Sequence, residues 1–377
     1  MDSSRFCGRE SAATTDANQL NKEETEMDAT TIGVDLAKSV FELALASAAW
    51  RIIGRRRLTR PQFERFLASE PTAHLVMEAC GTAHYWARIA RTHGHRVSLL
   101  PAQYVRPYVR RNKTDRTDAE ALLEAVRSGG INPVPVKTAA QQELQALHRV
   151  RAEWMATRTA RLNAMRGFLQ EHGVTIPRGA RTAIATIPRL LADAEAPIPA
   201  RLRALLMHLL EDVRALDINL VALERDLATI ADTDPVVSRL MTIPGIGLIT
   251  GTALVATVGH IHGFRTARRF ASWLGLTPSE RSSAHRRRLG AISKMGDVYL
   301  RCLLTHGARS VLLTAHRAQA RRGRVLTRLQ QWGLSIETRR GHNKATIAIA
   351  NKLARVVWAV WSREVAYEHR PALPAAA

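Results

Sequence analysis

The sequence predicts an α/β domain followed by a longer all-α region. Up to about residue 137, short apolar runs separated by turn residues alternate with amphipathic segments, the pattern of strands and covering helices. After Pro135 the texture changes, because residues 138–172 contain one glycine and no proline, as long helices do. At 377 residues the chain is long enough for two or three domains. The predicted segments are a disordered acidic extension (1–30), the α/β domain (31–137), a helical stalk (138–235), a mainly helical C-terminal domain (236–365) and a disordered tail (366–377).

The α/β domain is predicted to contain five strands and two intervening helices. The strand-like runs are TTIGVDLA, VFELALAS, RIIGRRRL, AHLVMEA and RVSLLP. The helical runs are PQFERFLAS, with proline in its first turn, and TAHYWARIARTH. The second and third strands are close enough to form a hairpin, and the later alternation of helix and strand predicts a mixed central sheet covered by helices.

Four carboxylates stand out in this domain. Asp35 and Glu78 each close an apolar strand-like run, and Asp115 and Asp118 lie three residues apart at a predicted helix start. Positions i and i+3 share one face of a helix, with Cβ atoms roughly 5–6 Å apart. Four converging carboxylates are tolerable only around cations, and their hard oxygens suit Mg²⁺. Two such ions about 3.5–4 Å apart are a standard device for cutting and joining phosphodiesters.

Ordinary structural roles for the same acids stay open on the residues alone. An aspartate after a strand, such as Asp35, is commonly a turn former or a helix cap. Asp118 near a helix start also complements the helix dipole. Glu78 is harder to explain in this way, because its apolar surroundings make an unpaired carboxylate costly.

The charge of the chain predicts an anionic polymer as partner. The formal net charge is +22 and the pI about 11.2. Residues 1–30 carry a net charge of −4, so the remainder carries +26. A membrane is not favoured, because the most apolar stretch, ATIAIANKLARVVWAVW, is interrupted by Lys352 and Arg355 and falls short of the ~18 residues that a spanning helix needs. Nucleic acid is therefore the predicted partner.

Cysteine usage and the N-terminal composition predict a cytoplasmic protein. Cys7, Cys80 and Cys302 lie far apart, with no Cys-x-x-Cys pair, so neither a disulfide framework nor a zinc site is indicated. The sequence also lacks the apolar core of a secretory signal.

The stalk contains a heptad-like apolar pattern. Spacings of three and four residues relate Val213, Leu216, Leu220, Leu223, Leu227 and Ile230. This spacing is typical of a coiled-coil seam, and a single helix buried in a bundle fits it equally well. Both interpretations agree with an antiparallel helical stalk that turns in the proline-containing region 187–199.

The C-terminal domain begins with a segment that resembles a helix–hairpin–helix. In Pro244-Gly245-Ile246-Gly247 the glycines would let the hairpin backbone approach a phosphate, whose charge the N-terminus of the next helix favours. A plain tight turn between two helices is the alternative.

A serine and arginine cluster follows. Arg286, Arg287 and Arg288 lie close to Ser282 and Ser283, a combination suited to holding a phosphate beside a hydroxyl, although a solvated basic loop has the same composition. The residues expected to contact nucleic acid are Arg110, Arg111, Lys113, Arg116, Gly245, Gly247, Arg268, Arg269, Arg286, Arg287, Arg288 and Lys294.

From about residue 30 to 365 the chain resembles the DEDD transposases of bacterial insertion sequences, recombinases guided by a structured bridge RNA. The motifs that carry the resemblance are GVDLAKSVF, MEACGTAHYWAR, NKTDRTDAEAL, PGIG, ASWLGLTPSERSSAHRRRLGAISKMGDVYLR and HGAR. The resemblance implies a RuvC-like (RNase H-like) fold for residues 31–137, with the acidic tetrad at Asp35, Glu78, Asp115 and Asp118. It also implies a C-terminal transposase domain with a reactive serine at Ser283.

One position departs from the family pattern. The family carries glycine after the reactive serine, whereas this chain has Ala284, which reaches φ > 0 less easily. Ser282 therefore remains an alternative nucleophile.

What the resemblance implies is DNA recombination through a phosphoserine intermediate. The acidic tetrad would bind two Mg²⁺ ions per site, and the partners would be the DNA of the element ends and target, a structured guide RNA and further copies of the chain in a dimer or tetramer. Two alternatives fit the same residues. One is a hydrolytic RuvC-type junction nuclease with water as nucleophile, and the other is a non-catalytic architectural protein that binds RNA and DNA.

Overall fold

The computed structural model describes residues 31–109, 115–283, 286–321 and 325–369, with the backbone alone for Asp115. The chain divides between Thr138 and Ala139 into two compact units, one residue beyond the predicted boundary. The predicted boundary at 235/236 stays a prediction. Arg110, Arg111, Lys113, Ala284, the acidic extension 1–30 and the last eight residues of the predicted tail lie outside the described residues.

The first unit contains a five-stranded mixed sheet in the order β3-β2-β1-β4-β5. The strands are β1 (Thr31–Leu36), β2 (Val40–Ala46), β3 (Ile52–Thr59), β4 (His74–Glu78) and β5 (Arg96–Leu100). The helices are α1 (Arg60–Ser69), α2 (Ala83–Thr92), α3 (Ala102–Val105) and α4 (Asp115–Arg127), and a 3₁₀ turn spans Arg106–Tyr108. Strands β1, β2 and β3 pair antiparallel, whereas β1, β4 and β5 pair parallel. The predicted strands and helices are confirmed, and the sheet is compatible with the RNase H-like fold.

Helices cover both faces of this sheet. On one face α1 and α2 enclose an apolar core in which Phe41 meets Phe63 and Trp86 edge to face, at centroid distances of 5.1 and 5.3 Å. On the other face α4 lies directly on β1. A Cβ on Gly33 would overlap the carbonyl oxygen of Ala119, so glycine is what allows the helix to approach the strand this closely.

The second unit is mainly helical. Its helices are α5 (Ala139–Glu171), α6 (Ala180–Ala192), α7 (Ala200–Thr233), α8 (Pro235–Met241), α9 (Leu248–Val258), α10 (Ala267–Trp273), α11 (Val298–Ala320), α12 (Arg328–Arg340) and α13 (His342–Arg363). A 3₁₀ turn spans Ile261–Gly263, and a two-stranded sheet pairs β6 (Pro278–Glu280) with β7 (Leu289–Ile292).

Helices α5 and α7 pack antiparallel, as predicted for the stalk. Ion pairs join Arg151 to Glu224, Arg158 to Asp217 and Arg161 to Asp212. Residues later in α5 therefore pair with residues earlier in α7, as in an antiparallel pair. The predicted seam is buried or half-buried within the chain itself, and at Leu223 and Leu227 it packs against Leu144 of α5 and Ala256 of α9. The contacts show an antiparallel helix pair, and a supercoil remains a prediction.

The connection between these two helices differs from the prediction of a proline-containing joint at 187–199. It starts at residue 172 and includes α6, which keeps Pro188 in its interior. Proline costs this helix the hydrogen bond to the carbonyl of Ile184. Ile187 and Leu191 are buried in the cluster that α6 shares with α7, and this packing outweighs the lost bond.

The apolar segment near the C-terminus forms the buried face of α13. Ile349, Leu353 and Val357 are fully buried against α9 to α12 in the main core of the second unit. Over the part of the chain that the structure describes, no helix combines the length and apolarity needed to cross a membrane.

Candidate functional sites

Asp35 and Glu78 lie side by side on one face of the sheet. Val34 and Met77 are Cα partners in the parallel pair β1–β4, and each acid follows directly after one of these partners. Alternate residues of a strand point to the same face. Gly33 faces α4 and Val76 packs against Leu122 of α4, so Asp35 and Glu78, two residues further along their strands, share that face.

Helix α4 brings Asp118 to the same part of the sheet. A Cβ on Gly33 of β1 would meet the carbonyl oxygen of Ala119 in α4. Asp118 directly precedes Ala119, and Asp35 follows Gly33 by two residues on the same face, so Asp118 lies near the segment of β1 that carries Asp35. The backbone of Asp115 lies one turn before Asp118.

One carboxylate oxygen of Asp118 is buried without a hydrogen-bond partner among the described residues. This oxygen is Oδ1, and the Asp118 side chain as a whole is half-buried. A carboxylate oxygen that gives up water without gaining a donor is costly. A hard divalent cation bound by this carboxylate would supply the missing interaction.

The Cys80 thiol lies close enough to both strand acids for their charges to affect its pKa. This side chain is half-buried, just beyond the end of β4. Burial raises the pKa of the Cys80 thiol, and the negative charges of Glu78 and Asp35 raise it further. Both carboxylates therefore act electrostatically on one point.

The donor set fits a divalent cation. Asp35, Glu78 and Asp118 offer carboxylate oxygens only, the ligands that Mg²⁺ and similar hard ions prefer. Among the side chains that the structure describes, no three His, Cys, Asp or Glu residues are gathered closely enough to hold one ion. The three acids lie near one another on one face of the sheet, and Oδ1 of Asp118 is the oxygen that lacks a hydrogen-bond partner among the described residues.

The serine and arginine cluster lies on a β-hairpin, an element that was not among the predicted strands. Strands β6 and β7 pair through Pro278↔Ile292 and Glu280↔Leu289. Towards the tip, Ser283 and Arg286 exchange backbone hydrogen bonds of 3.3 and 3.0 Å. Arg286, Arg287 and Arg288 are exposed on this hairpin.

The two serines of the hairpin have different environments. The Ser282 hydroxyl donates to Glu280 Oε1 at 2.7 Å and accepts from the backbone N–H of Arg288 at 3.1 Å. The Ser282 hydrogen bond and Arg287, whose Nε lies 3.3 Å from Oε1, lower the pKa of the Glu280 carboxyl. The Ser283 side chain is exposed, and its hydroxyl makes no hydrogen bond within the described residues. Ser282 thus ties the hairpin together, while the Ser283 hydroxyl faces solvent.

The base of the hairpin is held by close backbone packing. Gly275 (φ +70°) and Gly296 (φ +104°) have backbone conformations that favour glycine, and a Cβ on either would overlap backbone atoms of the opposite segment. Lys294 adopts φ +56°, an uncommon conformation for a non-glycine residue, and its N–H donates to the Gly275 carbonyl at 3.1 Å. The Arg301 guanidinium and the Asn351 amide, from α11 and α13, donate to carbonyls of the same base.

The two glycines of the predicted helix–hairpin–helix have different surroundings. Gly245 (φ +84°) packs against α11, where an added Cβ would lie 2.6 Å from the carbonyl oxygen of Gly307. Gly247 precedes α9, and the space around it is open. Close backbone approach at Gly245 is therefore made to protein, as in a tight helix–helix turn. Contact of this segment with a phosphate stays a prediction.

Comparisons with known proteins place this architecture in a family. A family model described as "Transposase" matches residues 32–174, and one described as "Transposase IS116/IS110/IS902 family" matches residues 237–323. The chain is 42% identical to a "Probable family 20 transposase" of Pseudomonas aeruginosa, over 90% of this chain and 99% of the relative. It is 36% identical to the "Transposase for insertion sequence element IS1111A" of Coxiella burnetii, over 89% of this chain and 90% of the relative.

A third relative is the "Transposase for insertion sequence element IS1328" of Yersinia enterocolitica, 37% identical over 88% of this chain and 96% of the relative. The chain belongs to the IS110/IS116/IS902 transposase family. It is a DNA transposase, DNA is its substrate, and its DEDD domain indicates a divalent metal cofactor.

The two matched regions of the transposase contain the two candidate sites. The first region includes the four predicted acids, and the second includes both hairpin serines. The predicted basic residues that the structure describes, Arg116, Arg268, Arg269, Arg286, Arg287, Arg288 and Lys294, are all exposed.

Sequence reasoning missed two charged residues next to the acid pair. Glu42 of β2 is the Cα partner of Asp35, and Arg57 of β3 is the Cα partner of Glu42. The alternation within VFELALAS was the available signal, but the strand register was needed to bring Glu42 beside Asp35.

Proposed function

We propose that this transposase cuts and rejoins DNA through a covalent phosphoserine intermediate at Ser283, with Mg²⁺ bound by the acidic tetrad and with a structured RNA as guide. The observation that carries the assignment is the contrast between the two serines. Ser282 uses its hydroxyl inside the hairpin, whereas the Ser283 hydroxyl is exposed and makes no hydrogen bond within the described residues. A nucleophilic hydroxyl must be accessible to the phosphate, as the Ser283 hydroxyl is.

The chemistry exchanges one phosphodiester for another. The Ser283 oxygen attacks phosphorus, the bond from phosphorus to a bridging DNA oxygen breaks, and the departing strand takes up a proton as its hydroxyl. The serine proton passes to a base, because the neutral hydroxyl is a weak nucleophile. In rejoining, a DNA hydroxyl attacks the phosphoserine and releases the serine. The bond energy is retained, so no ATP is needed.

The arginines of the hairpin supply positive charge where negative charge develops. Arg286, Arg287 and Arg288 lie within five residues of Ser283, on a hairpin fixed by its backbone pairing and by its packed base. Guanidinium groups bind phosphate oxygens through paired, charge-assisted hydrogen bonds. Donors held ready for the transition state lower the barrier more than donors that must first reorganise.

The acids of the first unit would hold the metal. Asp35, Glu78, Asp115 and Asp118 are the ligands in this proposal, with two Mg²⁺ ions per site. When bound, the metal activates an oxygen nucleophile and stabilises charge on the phosphoryl group. The unpartnered Oδ1 of Asp118 supports this assignment.

The remaining parts of the proposal concern partners. The acids and the serine lie in different units of the chain, which is compatible with the composite sites that the family resemblance implies, and we propose a dimer or a tetramer. The charge of +26 outside residues 1–30 supports binding to both DNA and a guide RNA. Recovery of the transposase from its native host at low salt without a co-purifying structured RNA would contradict the proposal of a guide RNA.

The decisive experiment traps the covalent intermediate. Transposase, RNA transcribed from the non-coding part of the element and labelled DNA spanning the element border are combined with Mg²⁺ and separated by denaturing electrophoresis. We expect a protein–DNA adduct in the wild type and in Ser282→Ala, and none in Ser283→Ala. An adduct that survives in Ser283→Ala but is lost in Ser282→Ala moves the nucleophile by one position. DNA cutting by the wild type without any adduct would instead support a hydrolytic junction nuclease.

A further inference from the structure

We propose that Arg57, positioned by Glu42, binds a phosphate of the DNA strand that enters the acidic site. The proposal rests on the function proposed above and adds a substrate-binding residue to it. Its starting point is strand register. Asp35 pairs with Glu42, and Glu42 pairs with Arg57. With Glu78 beside Asp35, the four residues form one row across β4, β1, β2 and β3.

All four side chains lie on the face that α4 covers. Ala44, two residues after Glu42, packs against Ala119 and Leu123 of α4. Arg55, two residues before Arg57, forms an ion pair with Glu120 of α4 at 2.8 Å. Because alternate residues share a face, Glu42 and Arg57 point to the same side as the acid pair.

Charge along this row explains why Arg57 is held in place. Directly opposite residues on antiparallel strands have Cβ atoms about 4.5–5.5 Å apart, and like charges there repel. Asp35 and Glu42 are such a pair. Arg57 Nε lies 3.2 Å from Glu42 Oε1 and offsets this repulsion. The Glu42 side chain is 22% exposed and that of Arg57 is 74% exposed, so the carboxylate is fixed in the row while the guanidinium reaches solvent.

The ligand that matches this end of the row is a phosphodiester. Arg57 lies two strands from Asp35, about 10 Å at the usual spacing of neighbouring strands. A guanidinium has five donors, so Arg57 can keep one hydrogen bond to Glu42 and offer others to phosphate oxygens. A DNA strand with one phosphate at the acids would place a neighbouring phosphate near Arg57.

The neighbouring arginines of β3 provide matched controls. Arg55 is on the same face, but its Nε and Nη2 both donate to Glu120 Oε1, at 2.9 and 2.8 Å. Arg56 is exposed and points to the opposite face, since it lies between Arg55 and Arg57 in the strand. Each control removes one positive charge from the same strand.

The test is DNA binding, measured by fluorescence anisotropy with the full-length transposase, Mg²⁺ and labelled DNA spanning the element border. Arg57→Gln is expected to weaken binding about tenfold or more, the usual effect of losing a charge-assisted hydrogen bond. The slope of log affinity against log salt should fall by about 0.7–0.9, the value of one phosphate contact. Arg55→Gln and Arg56→Gln should each change affinity by less than about threefold. Circular dichroism confirms that every variant is folded.

The double variant Glu42→Gln/Arg57→Gln distinguishes binding of a DNA phosphate by Arg57 from neutralisation of the Glu42 carboxylate by Arg57. If Arg57 binds phosphate, the double variant binds DNA as weakly as Arg57→Gln does. Replacing one phosphate near the cleaved bond by a neutral methylphosphonate then lowers the DNA affinity of the wild type but not that of Arg57→Gln. Wild-type affinity in the double variant, or equal losses in Arg57→Gln and Arg56→Gln, would overturn the proposal. An adduct that persists in Ser283→Ala would refute the proposed nucleophile and leave this binding result unchanged, so the two failures are distinguishable.

Discussion

Gly33 in β1 and Ala119 in α4 touch through their backbones, with no room for a side chain between them. This contact fixes the height of α4 above the sheet at the position next to Asp118. Asp35 is two residues further along β1, on the same face. One glycine in a strand therefore sets the separation between a strand acid and a helix acid of the candidate metal site.

Gly33→Ala should damage both the fold and the activity. The added Cβ meets a backbone oxygen, which cannot rotate away, so α4 has to move off the sheet. We expect the free energy of unfolding to fall by about 1–3 kcal/mol, as in other overpacked cores. Strand exchange should fall on the order of 100-fold, because catalysis is sensitive to displacements of about 1 Å. Denaturant titration and an exchange assay measure the two effects.

Gly54→Ala is the matched control for this substitution. Gly54 lies in β3, and its nearest neighbour to an added Cβ is Leu45 Cβ at 4.0 Å, an ordinary contact distance. This variant should retain exchange activity. Wild-type behaviour of Gly33→Ala would show that the close approach of α4 does not control the acid site.

The acid substitutions Asp35→Ala, Glu78→Ala, Asp115→Ala and Asp118→Ala should each abolish strand exchange and leave the fold intact. Asp118→Ala has a further signature. Because Oδ1 of Asp118 lacks a hydrogen-bond partner among the described residues, its removal should not lower the melting temperature without divalent cations. Mg²⁺ should raise the melting temperature of the wild type and not that of Asp118→Ala, since a ligand stabilises only a fold that binds it.

Glu124→Gln, an exposed acid on the same helix that pairs with Arg127, should respond to Mg²⁺ as the wild type does. Wild-type recombination in any two of the four acid variants, with magnesium present, would show that the tetrad has been misassigned.

Local patterns were sufficient to predict the first unit from sequence. The five strand-like runs and the helix starting at Asp115 are all present, because alternation, apolar runs and turn residues agree with the final packing there. The apolar face of α7 was equally predictable from its spacing of three and four residues. These features depend on neighbours along the chain.

Features that depend on distant partners were not predictable in this way. The β6–β7 hairpin consists of strands of three and four residues, too short to show an alternating pattern, and backbone packing at Gly275 and Gly296 holds its base. Pro188 lies inside α6 because packing on α7 compensates for the missing hydrogen bond. Glu42 and Arg57 became candidates only through the register of three strands. Local pattern made the four acids and the serine–arginine cluster candidates, and the family resemblance then gave the acids as one tetrad and Ser283 as the nucleophile.

Nucleic-acid binding should depend strongly on salt. A chain with +26 outside residues 1–30 is expected to neutralise roughly 6–10 phosphates and to release their counterions. Affinity for duplex DNA should then fall by about 10³–10⁵ between 50 and 200 mM salt, measured by fluorescence anisotropy. Removal of residues 1–30, with their net charge of −4, should not reduce this dependence. A flat salt profile would contradict the electrostatic interpretation.

His148 should make the second unit less stable as the pH falls. The ring is buried between Thr252 Oγ1, 3.0 Å from Nε2, and Tyr299 Oη, 3.1 Å from Nδ1. Burial, and to a lesser degree the charge of Arg151, lower the pKa of His148 from 6.5 to about 4. Between these two values the unfolded chain binds a proton that the folded chain excludes. The free energy of unfolding therefore decreases as the pH falls from 6.5 towards 4.

The contribution of His148 to this slope approaches about 1.4 kcal/mol per pH unit at most. His148→Gln keeps a donor and an acceptor but cannot be protonated, so its unfolding free energy, measured by denaturant titration between pH 7 and 4, should change less steeply. His74 and His84 in the first unit, whose pKa values are also lowered to about 4, contribute equally to both proteins. His208→Gln, at an exposed position on α7, should match the wild type. Identical slopes for His148→Gln and the wild type would mean that folding does not lower the pKa of His148.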